Sequence, residues 1–224
     1  QYAGFVKLAH KASLDSTLEN QAQFLKQHFG DSATYLSRSE LEANFVKSNE
    51  ATSGLYFPDC FGLHPLKLSL EYARIIREQG VDIFTCSPVT NISKANGRHL
   101  LRTAQGEVQA KSLVFASNGY TPKGLHSSIN GRILPVLSSI IVTKPLPEHE
   151  LTTAGIKPGL VMMDTRELKY YYRLLPDNRL LFGGRGAIQG KHADNPLFTH
   201  RLLEALKTTF PSLSSAETDY AWSG

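Results

Sequence analysis

The sequence of 224 residues has little of what usually marks a metal site, a disulfide scaffold or a membrane segment. Its two cysteines, Cys60 and Cys86, are too few for a disulfide framework, and neither they nor the eight histidines show metal-ligand spacing. We therefore expect no metal site, and we favour a reducing compartment, the cytoplasm. No apolar run approaches the roughly 18 residues of a spanning helix, and no charged and then apolar leader opens the chain.

Charge patches and catalytic motifs are also missing. The net charge of +4 is modest, and 24 basic residues are scattered among 20 acidic ones, so no basic stripe indicates a nucleic-acid partner. Ser117 lacks the Gly-x-Ser-x-Gly context of a hydrolase nucleophile, and His64 has no acidic or thiol partner at useful spacing. The dinucleotide-binding turn Gly-x-Gly-x-x-Gly is absent too. The sequence therefore identifies no catalytic residue.

Hydrophobic residues make up 41% of the chain, which is enough to bury a core or two small ones. Their periodicity predicts helices over about 14–28, 65–79 and 196–210, the second with Leu66, Leu70, Ala73 and Ile76 on its buried face. The capping-box spacing of Ser37-Arg-Ser-Glu40 predicts a further short helix over 39–44. A buried strand is predicted at 113–115, and further strands at 133–142, 170–175 and 179–182. Turn dipeptides stand at Asn96-Gly97, Gln105-Gly106 and Asp177-Asn178.

Six short motifs, read together, point to a known family. They are Gly62-Leu-His-Pro-Leu-Lys-Leu68, Gly80-Val-Asp-Ile83, Pro88-Val-Thr-Asn-Ile92, Leu113-Val-Phe-Ala-Ser-Asn-Gly-Tyr-Thr121, Tyr171-Tyr-Arg173 with Arg179-Leu-Leu-Phe-Gly-Gly184, and Trp222-Ser-Gly224. In this order they resemble the DAO family of FAD-dependent amine and amino-acid oxidoreductases, in particular its gamma-glutamylputrescine oxidoreductase and D-amino-acid dehydrogenase branch. The resemblance spans about residues 1–224. The family's N-terminal Gly-x-Gly-x-x-Gly unit is not matched, so the chain resembles an internal fragment.

The resemblance implies a mixed α/β fold in which part of an FAD-binding domain is interleaved with an antiparallel-sheet substrate domain. The expected division has four segments. They are 1–61 and 121–218 for the substrate domain, and 62–120 and 219–224 for the FAD-binding domain.

The resemblance also implies cofactor-binding positions at Val89 and at Ala116-Ser117-Asn118-Gly119. The backbone of Val89 would face the adenine, and the small residues after strand 113–115 would lie against the diphosphate or ribitol region of FAD. Each position also has a purely structural interpretation. Val89 suits a sheet as a β-branched residue, and the second motif suits an ordinary turn with Gly119 at positive φ.

Four residues are candidates for the substrate site: Tyr171, Tyr172, Arg173 and Arg185. In an extended strand, Tyr170 and Tyr172 point one way while Tyr171 and Arg173 point the other, so one pair can line a pocket. A guanidinium can hold a substrate carboxylate, and a tyrosine hydroxyl can orient an amine or carboxylate. Solvated arginines and tyrosines at the edge of a core are the alternative.

The implied activity is oxidation of the C–N bond of a small amine or amino acid by a longer FAD-dependent parent protein. The alternative is a catalytically inactive fragment that only folds or associates. As an isolated chain it is expected to be free of flavin, because the helix start that would hold the pyrophosphate is missing. The substrate, the electron acceptor and homo-oligomer formation are left open.

Overall fold

The computed structural model describes residues 3–187 and 190–224, without the side chain of residue 191. The chain forms two compact units, one made of Gln1–Gly62 with Leu137–Gly224 and the other of Leu63–Val136. We call them the larger and the smaller unit.

The helices of the larger unit are α1 (Asp15–Phe29), α2 (Arg38–Asn44), α4 (Glu148–Ala154) and α5 (Pro196–Thr209), and α3 (Pro65–Glu78) lies in the smaller unit. The strands of the larger unit are β1 (Phe5–Ala9), β2 (Thr34–Ser37), β3 (Ser53–Phe57), β7 (Ser138–Thr143), β8 (Val161–Asp164), β9 (Tyr171–Leu174), β10 (Leu180–Arg185) and β11 (Thr218–Ser223). The smaller unit contributes β4 (Asn91–Ala95), β5 (Arg98–Arg102) and β6 (Glu107–Ala110).

The eight strands of the larger unit form one mixed sheet in the order β11-β7-β10-β9-β8-β1-β3-β2. Its neighbours are antiparallel except for β1 and β8, which run parallel. One face of this sheet carries a buried cross-strand row, in which Met162 lies opposite Tyr172 and Tyr172 opposite Phe182. Helix α5 packs on this face and buries Leu206 and Phe210 against it. We call this face the core face.

The opposite face is covered only in part within the larger unit. Helix α1 packs over the β1, β3 and β2 end, where Leu18 and Ala22 join Leu55 in a second buried cluster. On β8, β9, β7 and β11 most side chains of this face are partly or largely exposed, as Tyr171 and Trp222 show, whereas Val142 of β7 is buried. We call this part, from β8 to β11, the open face.

Local sequence signals explain where several elements begin and end. Helix α1 stops at Gly30, whose φ of 63° lies in the left-handed region that glycine adopts at little cost. Helix α2 starts with the predicted capping box, in which the backbone N–H of Glu40 donates to Ser37 Oγ and the N–H of Ser37 donates to the Glu40 carboxylate. Asn96 and Gly97 both have positive φ and join β4 to β5, which confirms the predicted hairpin turn.

The smaller unit departs from the sequence-based expectation in two ways. Helix α3 is present, but Leu70, placed on its buried face, is 62% exposed, and no residue of α3 is buried. Residues 113–115 form no strand, and Val114 is 83% exposed. Both predictions were wrong for the same physical reason. The described part of this unit has only the three strands β4-β5-β6, and it offers neither a neighbouring strand for 113–115 nor a sheet under α3.

The unit boundaries also differ from the expected division. The first lies between Gly62 and Leu63, within one or two residues of the expectation, while the second lies at Leu137 rather than near 121. Strand β11 pairs with β7 over its length, so residues 218–223 group with the larger unit instead of returning to the other one. The assignment of the units to cofactor and substrate stays a prediction.

Candidate functional site

The open face carries a continuous row of side chains across five strands. Register pairs link Met163 to Tyr171, Tyr171 to Gly183, Gly183 to Ile140 and Ile140 to Trp222. Met163, Tyr171 and Ile140 are half-buried and Trp222 is 48% exposed, whereas Gly183 is buried under the ring of Tyr171. The row is therefore a partly exposed apolar and aromatic surface of the larger unit.

Tyr171 and Arg173 both lie on the open face, as the alternation predicts. Arg173 pairs in register with Val161 on one side and Leu181 on the other, one step along from Tyr171. Within the described residues, the Tyr171 hydroxyl has no hydrogen-bond partner, and it is not among the buried unsatisfied atoms. A ligand on this face can therefore bond to it without displacing a protein group.

Tyr172 is instead a core residue. It is 3% exposed, its ring stacks on Phe182 at 5.2 Å between centroids, and Phe210 meets it edge-on at 5.3 Å. Burial raises the pKa of Tyr172, and the nearby Asp164 and Glu50 carboxylates raise it further. The hydroxyl thus stays protonated, and the side chain cannot contact a substrate on the open face.

Arg185 lies at the end of β10, two residues beyond Gly183 and opposite Ser138 of β7. It lines a cavity of about 810 Å³ beside the first turn of α5, together with Tyr170, His192 and Arg201. Arg185 and Arg201 are exposed, and the described residues form no ion pair with either of them. The rest of the lining is largely apolar, with Leu168, Phe198 and Leu202, so the cavity suits an anionic group attached to an apolar body.

Three of the five predicted cofactor positions come together in the smaller unit. Val89, Ala116 and Ser117 line one cavity of about 360 Å³, whose other walls are mostly apolar, such as Leu113 and Phe115. Val89 precedes β4 rather than lying in a strand. Asn118 and Gly119 follow in a short 3-10 helix, and the positive φ of 48° belongs to Asn118, not to Gly119.

A model of the family described as FAD dependent oxidoreductase matches residues 1–224. The chain belongs to this family. It is 32% identical to gamma-glutamylputrescine oxidoreductase of Escherichia coli over 93% of this chain and 48% of that protein. It is 30% identical to the probable oxidoreductase OrdL of Haemophilus influenzae over 99% of this chain and 50% of that protein. The chain thus spans about half the length of these relatives.

Solved structures of the same fold cover the whole chain. Glycine oxidase from Geobacillus kaustophilus superposes with a TM-score of 0.77 at 17% identity, over 100% of this chain and 58% of that one. L-proline dehydrogenase from P. horikoshii also gives a TM-score of 0.77, at 14% identity, over 100% of this chain and 60% of that one. At these identities the likeness establishes the fold, a mixed α/β architecture shared with FAD-dependent oxidases.

Membership of the FAD dependent oxidoreductase family implies FAD, and the residues of the smaller unit fit only part of it. The apolar cavity around Val89 and Ala116 lies at the low end of the roughly 300–1,000 Å³ of ligand pockets, which suits one ring system rather than a dinucleotide. No arginine or lysine lines it, and no α-helix of this unit begins at its lining residues. The lining of this cavity therefore supplies neither a cationic side chain nor the first turn of an α-helix for the diphosphate.

A partly buried ionic cluster was missed by the sequence analysis. The Arg166 guanidinium pairs with Asp164 and with Glu50, the latter at 2.5 Å, and Thr209 Oγ1 donates to Glu50. A small polar void next to this cluster is lined by His10 and Tyr172. Glu50 and Arg166 are 116 positions apart, and no local pattern marks either of them, so only the fold brings them together. Within the described residues, no group of acidic, histidine and cysteine side chains is arranged to hold a metal ion.

Proposed function

We propose that this chain is part of an FAD-dependent enzyme that oxidises the C–N bond of a small amine or amino acid. Family membership supports the redox class, and relatives such as gamma-glutamylputrescine oxidoreductase, together with the structural neighbour glycine oxidase, support the substrate class. When bound, FAD takes up the hydride equivalent, so the protein has mainly to hold and orient the substrate. This requirement agrees with the lack of a catalytic dyad in the sequence.

The observation that carries the substrate assignment is the open face with Tyr171 and Arg173 side by side on β9. An amino acid presents a carboxylate and an amine within a few ångströms of each other. In our proposal a guanidinium binds the carboxylate and the Tyr171 hydroxyl orients the amine end. Arg185, in the cavity at α5, is the second candidate for the carboxylate.

For the cofactor, we propose that the smaller unit contributes Val89 and residues 116–119 to the FAD site. The shared cavity of Val89, Ala116 and Ser117 supports this proposal. The diphosphate would be held by residues other than those of this cavity, in line with the missing Gly-x-Gly-x-x-Gly turn. None of the described helices is long and apolar enough to cross a bilayer. A cytoplasmic location and a homo-oligomer stay predictions.

The test is anaerobic mixing of the full-length protein with a panel of amines and amino acids, followed by loss of the visible absorbance of oxidised flavin. For an amino-acid substrate, Arg173→Ala or Arg185→Ala should lower kcat/KM by an amount equivalent to about 2–5 kcal/mol of lost transition-state stabilisation, because a desolvated carboxylate loses its partner. Flavin content should stay unchanged in both variants. Arg38→Ala, on the surface of α2, is the matched control.

Unaltered kcat/KM in both variants would exclude these arginines from the site and favour an uncharged amine end near Tyr171. If no amine or amino acid bleaches the flavin of the wild-type protein, the proposed substrate class is wrong.

The second candidate function is an inactive association module, and the poor fit of FAD to the smaller unit is the observation that favours it for the isolated chain. The 224-residue chain should then purify colourless, with no absorbance from flavin. A yellow preparation with stoichiometric FAD would contradict this.

A further inference from the structure

Gly183 stands in the middle of the open face, where the neighbouring positions of its row carry large side chains. Tyr171 lies opposite it on β9 and Ile140 opposite it on β7. A glycine inside a strand weakens the strand, because it adds backbone entropy and packs no side chain. Its φ is not in the left-handed region, so the backbone conformation does not require glycine here. The reason for glycine must lie in what approaches it.

The group that approaches is the ring of Tyr171. A Cβ atom placed on Gly183 would lie 2.2 Å from Tyr171 Cε2, 2.3 Å from Cζ and 2.6 Å from the hydroxyl oxygen. Real Cβ contacts essentially never fall under 3.0 Å. The distal half of the ring therefore occupies the space that any other residue at position 183 would fill.

We propose that Gly183 is a positioning residue, which holds the Tyr171 ring across β10 and so fixes where the hydroxyl meets the substrate. This inference rests on the proposed function, in which Tyr171 contacts the amine or amino acid. With the ring over Gly183, the hydroxyl lies close to the surface of the sheet and has no partner among the described residues. If the Tyr171 ring turned away from β10, its hydroxyl would leave this position, and the ring would fill part of the space above the open face.

The neighbouring Gly184 provides a matched control, because its side of the strand faces the core. A Cβ on Gly184 would lie 2.8 Å from Tyr170 Cδ1 and 3.0 Å from Leu202 Cδ2, on the face packed by α5. The strand, the substitution and the kind of clash are the same, and only the face differs. Gly106, where a Cβ would meet nothing within 4 Å, controls for the change of glycine to alanine itself.

The experiment compares Gly183→Ala, Gly184→Ala and Gly106→Ala in the full-length protein, with the substrate that bleaches its flavin best. Gly183→Ala should raise KM roughly threefold to tenfold and change kcat less than about twofold, the effect of one misplaced hydrogen bond. Tyr171→Phe should raise KM to a similar extent. Gly184→Ala should lower Tm, because its Cβ would strike Leu202 of the buried α5 contact, and it should change KM less than Gly183→Ala does, because its clash leaves the Tyr171 ring in place.

A double-mutant comparison ties the effect to the ring. In a Tyr171→Ala background, Gly183→Ala should cause no further rise in KM and no loss of Tm, because the atoms that it would strike are gone. Equal KM changes in Gly183→Ala and Gly184→Ala would overturn the inference. So would a Gly183→Ala change in KM that is as large in the Tyr171→Ala background as in the wild-type protein. A wild-type protein that no amine or amino acid reduces would instead remove the proposed function, and the Tm comparison on the 224-residue chain would still decide whether Gly183 positions the ring.

Discussion

Replacing Arg166 by methionine should destabilise the larger unit more than any other single charge removal among the ion pairs of the described residues. The guanidinium pairs with Asp164, whose side chain is 4% exposed, and with Glu50, which is 25% exposed. Arg166 also lies over the ring of Tyr170, at 5.1 Å from its centroid. Methionine keeps much of the volume and removes the charge, so the two carboxylates are left near each other without their shared cation.

The magnitude follows from what each carboxylate retains. Asp164 keeps the backbone N–H groups of Arg166 and Tyr170, both at 3.1 Å, and Glu50 keeps the hydroxyl of Thr209 at 2.8 Å. Two charge-assisted contacts are lost, each worth about 1.5–3 kcal/mol. Partial exposure of Glu50 and Arg166 reduces the sum, and we expect a loss of about 3 kcal/mol, at the low end for breaking a buried pair.

Urea unfolding followed by tryptophan fluorescence measures this loss, because the only tryptophan, Trp222, lies on β11 of the same sheet. In thermal unfolding the shift should be about 6–12 °C for a chain of this length. Arg38→Met, which breaks the exposed pair with Glu42, should cost no more than about 0.5 kcal/mol. If Arg166→Met and Arg38→Met cost the same, the cluster does not stabilise the larger unit as argued.

Two further predictions concern the titration of His10 and the packing of helix α3. Burial and the neighbouring Arg166 lower the pKa of His10, and together they outweigh the opposite effect of Asp164 and Glu50. The stability that neutral His10 confers should therefore be complete above its unfolded pKa of about 6.5, and it should be lost as the pH falls through the lower folded pKa. His10→Gln should flatten this part of a plot of Tm against pH, and an unchanged slope would exclude His10 as its source. Leu70→Asp should change the free energy of unfolding of this chain by less than about 0.5 kcal/mol, because the side chain is 62% exposed, whereas Leu206→Ala in the core should cost about 2–5 kcal/mol. Similar losses in these two variants would mean that α3 is packed.

Local signals were sufficient for the elements that the chain stabilises by itself. The capping box at Ser37 and the glycine stop at Gly30 are decided within a few residues, and the Asn96-Gly97 turn fixes its hairpin. The alternation of Tyr170 to Arg173 correctly placed Tyr171 and Arg173 on one face. Alternation cannot tell which face meets the core, so the sequence alone does not separate the buried Tyr172 from the substrate candidates.

The features that were missed depend on distant neighbours. Residues 113–115 have the composition of a buried strand, but a strand needs a partner for its backbone groups, and the described part of the smaller unit supplies none. In the sequence, Gly183 indicates only a weak strand position, because the Tyr171 ring that lies over it is visible only in the fold. The same holds for Glu50, whose cation lies 116 residues away.

The two units differ in how much of their apolar surface this chain buries, and that difference bears on the proposed function. In the larger unit, Met162, Phe182, Leu206 and Phe210 are fully buried, so the strands that carry Tyr171 and Gly183 rest on a closed core. In the smaller unit, the apolar side chains of Leu66, Leu70, Val114 and Leu134 are exposed. The geometry of the proposed substrate face is therefore fixed by contacts within the chain. The geometry around Val89 and residues 116–119 rests on far fewer buried contacts, and the proposed cofactor site should be the more sensitive of the two to whatever covers α3 and residues 113–115.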